Sequence, residues 1–221
     1  MFNRKWLAGF FALSSLGSVT SANAFVLGAS NFDTRNVLTV NGTINLTNID
    51  SGWYRDDFTH TASNKNYIAG VCANCVAAGS STNDYFVFDI STLTAPVTSA
   101  SFSVYTYIAD ETLTFTLHDY AGDISSLKSD NTGATAAAIY NDLGDGAVYG
   151  QGVIGPSNDN SLMSFTLTGA ALVDLNTAIR NGQTEFAMGG TTSAVPEPQS
   201  LLLSLIGLTG MGVVLQKRRR T

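Results

Sequence analysis

Basic residues are scarce in this chain, and most of them sit at its two ends. Of eleven lysines and arginines, six are Arg4, Lys5 and the run Lys217, Arg218, Arg219 and Arg220. The stretch between keeps only Arg35, Arg55, Lys65, Lys128 and Arg180 against seventeen acids spread from Asp33 to Glu197, a formal charge of −12. So acidic a body, with no basic run, is a poor match for nucleic acid or anionic lipid, and no nucleic-acid partner is expected. Histidine is nearly missing. His60 and His118 are the pair, and no G-x-S-x-G elbow accompanies them, so nucleophilic hydrolysis lacks its usual parts. Cysteine is limited to Cys72 and Cys75, which leaves no second pair to complete a zinc site. No glycine-rich loop opens a helix to receive a phosphate.

The ends carry what the body lacks. Arg4 and Lys5 precede the apolar stretch Trp6–Leu16, and Ser21-Ala22-Asn23-Ala24 supplies the small residues Ala22 and Ala24 of a signal-peptidase site. Residues 1–24 therefore read as a signal peptide, cut after Ala24. At the other end Pro196-Glu197-Pro198 precedes an apolar segment, Leu201–Leu215, and the four adjacent cations. Two prolines around one residue hold the backbone extended and open to a processing enzyme. As a helix, residues 199–216 would span about 27 Å, enough for the hydrocarbon core of a thin bilayer. The cations stay cytoplasmic. This tail is expected to stall as a transmembrane helix in the inner membrane with the body outside.

Motif, span and basic stop, in that order, resemble the PEP-CTERM sorting signal of Gram-negative bacteria. The resemblance implies that an exosortase recognises Pro196, Glu197 and Pro198, cuts near them and hands the body to the cell surface or extracellular matrix. The chain then divides into a signal peptide (1–24), a β-sandwich domain (25–190), a linker (191–195) and the sorting signal (196–221).

In the body, period-two alternation dominates. Phe102, Val104 and Thr106 alternate with Ser103, Tyr105 and Tyr107, and Leu113, Phe115 and Leu117 alternate with threonines. A turn at Ala109-Asp110-Glu111 would join these two strands as an antiparallel pair. Tyr85-Phe86-Val87-Phe88 is continuously apolar, as in a strand buried on both faces. Further strands are expected at Met163–Leu167 and Glu185–Met188, and weaker ones at Val37–Val40, Thr43–Leu46, Asn66–Gly70 and Ala147–Gly150. Leu172, Leu175 and Ile179 have helical spacing within Gly169–Asn181, with Thr168 as N-cap and Asn181-Gly182 as the stop. A second helical turn is expected at Ala134–Tyr140. The fold class is thus all-β, a two-sheet antiparallel sandwich of jelly-roll type with one or two short helices. The blocks Asp50–Tyr54, Asn66–Gly70, Tyr85–Ile90 and Phe186–Gly190 are similar to modules of PEP-CTERM surface proteins of unassigned biochemistry.

Candidate sites are few. Cys72-Ala73-Asn74-Cys75, in an oxidising compartment, reads as a local disulfide that pins a loop. Trp53 with Tyr54, and Tyr105 with Tyr107, are aromatic pairs able to stack on sugar rings or to add a layer of core. Carboxylates pair at Asp56-Asp57, Asp110-Glu111, Asp119 with Asp123, and Asp142 with Asp145, all in turn-rich surroundings. Asn141–Gly146 offers Asp142 and Asp145 to a structural calcium, without the spacing of an EF-hand; no other cofactor is expected. Three functions fit. The leading one is a non-enzymatic surface protein, sorted by exosortase, associated with exopolysaccharide or biofilm matrix. A carbohydrate-binding module and an extracellular glycan hydrolase are the alternatives.

Overall fold

In the computed structural model, which describes residues 25–27, 32–71, 80–109 and 111–194, the chain is mostly antiparallel strand with a few short helices. The first strands are β1 (Phe25–Leu27), β2 (Val37–Val40), β3 (Ile44–Arg55), β4 (Thr59–His60), β5 (Tyr67–Ile68) and β6 (Gly70–Val71). They are followed by β7 (Ser81–Asp89), β8 (Ala100–Thr106), β9 (Ile108–Ala109) and β10 (Leu113–Asp119). Helix α1 (Ile124–Leu127), β11 (Asn131–Thr132) and helix α2 (Gly133–Asp142) come next. The chain then forms β12 (Val148–Ile154), β13 (Ser161–Thr166), helix α3 (Gly169–Arg180) and β14 (Glu185–Ala194).

One ladder carries the architecture, in the order β12-β10-β14-β7-β3-β2-β8-β13. Its hinge is β3. Residues Ile44–Thr47 pair with β2, and Asn48–Arg55 pair with β7. Between them the register slips at Asn48/Asp50 and leaves Ile49 exposed, a bulge that bends the strand. The ladder consequently folds onto itself. Phe86 of β7 and Phe102 of β8 are three steps apart along it, yet their ring centroids lie 4.8 Å apart. Phe115 of β10 meets Phe165 of β13 at 5.6 Å. These aromatics, with Leu38, Phe88 and Met188, form an apolar interior enclosed by the folded ladder. The free edges approach each other too. A Cβ on Gly152 of β12 would lie 2.7 Å from the Phe165 ring, and Thr168 N donates to Tyr149 O at 2.8 Å.

The unbroken apolar run of β7 is explained by a second cluster on its other face. Tyr54, Tyr85, Val87 and Ala187 are covered there by Leu127, Ala136, Ile139 and Leu143 from α1 and α2. Helix α3 buries Ala171, Leu175 and Ala178, and Gly182 beyond it adopts φ +69°, where a Cβ would be strained. Thr168 occupies the N-cap position but makes no capping bond; its hydroxyl donates to Val148 O at 2.8 Å.

Two expectations are corrected. Strands β8 and β10 are not a hairpin: β8 pairs with β2 and β13, β10 with β12 and β14. Alternation fixes which residues face inward, and Phe102 and Phe115 both satisfy it from strands that are not neighbours in the ladder. The short β9 leads the chain away from β8 to pair with β1. The expected linker 191–195 is largely strand, since Thr191–Ala194 continue β14 against Thr116–Leu113. Backbone groups make that ladder, so a run of threonine, serine and alanine needs no apolar alternation to join it. Among the described residues no helix is long and apolar enough to cross a membrane. The segments 1–24 and 195–221, with both processing motifs and the apolar tail, lie outside them.

Candidate functional site

The aromatic pairs separate. In β3, Trp53 and Tyr54 point to opposite faces. Tyr54 is fully buried; its hydroxyl donates to Leu127 O (2.9 Å) and accepts from Asn131 Nδ2 (2.9 Å), and its ring stacks on His60 at 4.2 Å. Burial pushes its hydroxyl up to about 12. A ring sealed by α1 cannot serve as a ligand platform, which corrects that assignment. Trp53 is half-buried, with Nε1 donating to Asn66 Oδ1 at 3.0 Å. Tyr105 is also covered. The Arg35 guanidinium lies 3.2 Å from its ring centroid and is held there by Asp33, through Nε to Oδ1 at 2.9 Å. The Tyr105 hydroxyl donates to Asn160 Oδ1 at 3.2 Å. Tyr107, 49% exposed, stands just past the end of β8. The two tyrosines therefore do not form one open stacking surface.

What the fold assembles instead is a hydroxyl and amide face. Directly paired residues in a ladder share a face. The outward rows over β3, β2, β8 and β13 are Asn45–Thr39–Ser101–Thr166 and Thr47–Val37–Ser103–Ser164. The inward rows hold Leu46, Leu38, Phe102 and Phe165. No charged residue occurs in these strand segments. Thr39 Oγ1 donates to Asn45 Oδ1 at 2.9 Å, and Ser103 Oγ to Ser164 Oγ at 3.4 Å. With strands about 4.8 Å apart, donors and acceptors repeat at near-regular spacing. Such a face can make many neutral hydrogen bonds, each worth about 1 kcal/mol.

A second feature lies at the end of the body where β10 stops and β14 starts. A groove of about 650 Å³ runs between the C-terminal end of α3 and the Asp119–Ser125 segment, past Tyr120, Asp174, Asn181 and Gln183. Its carboxylates are engaged. Asp119 Oδ1 accepts from Ala147 N (2.6 Å), Asp174 Oδ2 from the Tyr149 hydroxyl (2.9 Å), and Glu185 pairs with Lys128 (2.7 Å). Asp123 accepts from Ser126 N at 2.8 Å and caps α1, a bond that lowers its pKa. Asp142 Oδ2 accepts from Ala121 N (3.1 Å) and Gly122 N (3.0 Å), while its partial burial raises its pKa. The carboxylate thereby ties the groove segment to α2. Asp145 follows three residues later, and among the described residues no three His, Cys, Asp or Glu side chains converge as a metal site requires. Cys72 and Cys75, Ala22 and Ala24, Pro196–Pro198 and Lys217–Arg220 lie outside the described residues.

The sequence reading missed two buried ionisable groups. Asp84 is wholly buried on the inward face of β7, two residues before Phe86, and neither carboxyl oxygen has a hydrogen-bond partner among the described residues. Burial pushes its pKa well above the usual carboxylate range. His60 is the other. It is buried between Tyr54 and Tyr85, with Nδ1 2.8 Å from Trp53 O and Nε2 unpartnered, and burial depresses its pKa. The available signal for Asp84 was its place at the head of an apolar run assigned to a doubly buried strand. Comparison with protein-family models, with curated proteins and with solved structures finds no match for this chain.

Proposed function

We propose that this protein is a non-catalytic exosortase substrate whose body is delivered to the cell surface and associates there with exopolysaccharide or another hydroxyl-rich matrix component. The observation that carries the matrix reading is the pair of outward rows Asn45–Thr39–Ser101–Thr166 and Thr47–Val37–Ser103–Ser164, which hold no charged residue. A neutral polysaccharide presents hydroxyls at similar spacing and, along these two rows, meets no charged side chain that must be desolvated; the nearest charge, Arg35, lies over Tyr105 beside them. The succession of Pro196-Glu197-Pro198, Leu201–Leu215 and Lys217–Arg220 in the sequence supports the sorting step, with signal peptidase acting after Ala24. We read the fold as a jelly roll. Its two layers run β3-β2-β8-β13 and β7-β14-β10-β12, and the chain crosses between them from β7 to β8, β8 to β10, β12 to β13 and β13 to β14.

Two results are expected. Intact mass of the surface-associated protein should show a chain ending near Pro198; mature protein that retains Lys217–Thr221 would leave a plain membrane anchor in place of sorting. Ser101→Lys combined with Ser164→Lys should reduce retention in the matrix at least fivefold. Folding stability should change by no more than about 0.5 kcal/mol, because both side chains sit on a solvated face. Unchanged retention in a folded double variant would remove this face from the function. The groove beside α3 favours a second reading, a carbohydrate-binding module that takes a sugar between Tyr120 and Gln183. A glycan-binding screen with and without calcium, run on wild type and a Gln183→Ala variant, separates the two.

A further inference from the structure

Both ends of the described body leave at one pole. Phe25 pairs with Ala109, and Ala194 pairs with Leu113, itself paired with Ile154. Four residue steps lead from Ala109 to Leu113, so the two exits lie within reach of one another, about 14 Å of chain at most plus the ladder spacing. The opposite pole begins where Glu185 pairs with Asp89 and includes the groove beside α3. Nine steps of β14 at about 3.4 Å put roughly 30 Å between the poles.

Seven residue steps lead from Ala194 to Leu201, a reach of at most about 25 Å. A tether that short cannot bring the far pole to a bilayer while the apolar segment is inserted. The balance of charge acts in the same sense: Asp119, Asp123, Asp142, Asp145, Asp174 and Glu185 are gathered toward the far pole, where anionic headgroups would repel them, against Glu111 and Asp159 at the near pole. The near pole exposes Tyr107 (49%) and Val153 (54%), and tyrosine suits the headgroup region. We infer that the tail-anchored precursor stands on the bilayer on the pole where Phe25 and Ala194 emerge, with the groove beside α3 pointing away from the membrane. The inference rests on the sorting-tail reading and adds an orientation to it: both processing sites face the membrane, and the groove faces whatever lies outside.

The test uses the full-length chain in phosphatidylethanolamine/phosphatidylglycerol vesicles containing a headgroup-spin-labelled lipid. A fluorescent noncanonical residue is placed either at Ser157, in the turn after β12, or at Gln183, both exposed. Quenching at Ser157 should exceed that at Gln183 at least threefold. Equal or reversed quenching in a chain that floats with the vesicles would overturn the orientation and leave the tail reading intact. A chain that does not float would overturn both.

Discussion

Gly189→Ala is expected to lower the unfolding free energy by about 3 kcal/mol or more, the upper part of the range for overpacking a tight site. A Cβ at Gly189 would lie 2.4 Å from Leu143 O and 2.7 Å from Leu143 Cα, backbone atoms that no rotamer change can move. The reason lies in the outward row Gly52–Tyr85–Gly189 across β3, β7 and β14. Tyr85 leans over Gly52, where a Cβ would meet its ring at 2.8 Å, and the end of α2 settles on Gly189. The two glycines make the trough in which the α1–α2 excursion is seated over Tyr54, Val87 and Ala187. Displacing Leu143 would loosen that whole cluster. Gly169→Ala is the control: a Cβ there meets nothing within 4 Å, so denaturant unfolding should show wild-type stability or slightly more. A Gly189→Ala protein with a wild-type midpoint would mean that α2 does not dock on this row.

The neighbouring Gly190 serves the opposite face, where a Cβ would lie 2.1 Å from Asp84 Oδ1 and 2.6 Å from the Phe115 ring. Sequence alone shows Met188-Gly189-Gly190 as the end of a strand, because glycine pairs usually mark turns. Here both are interior to a ten-residue strand, and each admits a close approach that exists only after folding. The same limit applied elsewhere. Facing residues in β8 and β10 were legible from their alternation, but their partners were not. Helix α3 was legible because apolar spacing, a cap position and a stop coincide locally. Helix α1 was not, since four residues carry no period. For the candidate site, aromatic pairing proved the weaker guide: Tyr54 and Tyr105 are taken up by His60 and Arg35, contacts formed across long sequence separations or through a loop. The hydroxyl face depended on register, which no single strand reveals.

Asp84→Asn is expected to stabilise the protein at neutral pH by about 1.4 kcal/mol or more, because the amide cannot ionise in the unfolded chain and each unit by which the folded pKa exceeds the unfolded one is worth that much. Neither oxygen of Asp84 finds a donor among the described residues. The hydroxyl of Tyr67 is directed to Asn36 Oδ1 (3.1 Å) and Tyr105 O (2.8 Å) instead. Burial raises the pKa of Asp84 in the fold and so favours its protonated form there, while the unfolded chain ionises near 3.8. Below that pH both states hold the proton and the group costs nothing through ionisation. As pH rises, only the unfolded state releases it, so this contribution to stability falls until pH passes the folded pKa. His60 acts in the reverse sense: its depressed pKa gives stability that is present above about 6.5 and lost as pH falls toward the folded value. The two must therefore be separated by difference. Urea unfolding of wild type and Asp84→Asn across pH 4 to 8 should give a gap that is small in acid and widens toward neutrality, with His60 cancelling between the two proteins. A variant less stable than wild type at pH 7, with the gap closing in acid, would show that Asp84 is ionised in the fold and held by a cation or donor. The carboxyl would then be an attachment point within the core, and its burial between β7 and β14 would serve binding of that group.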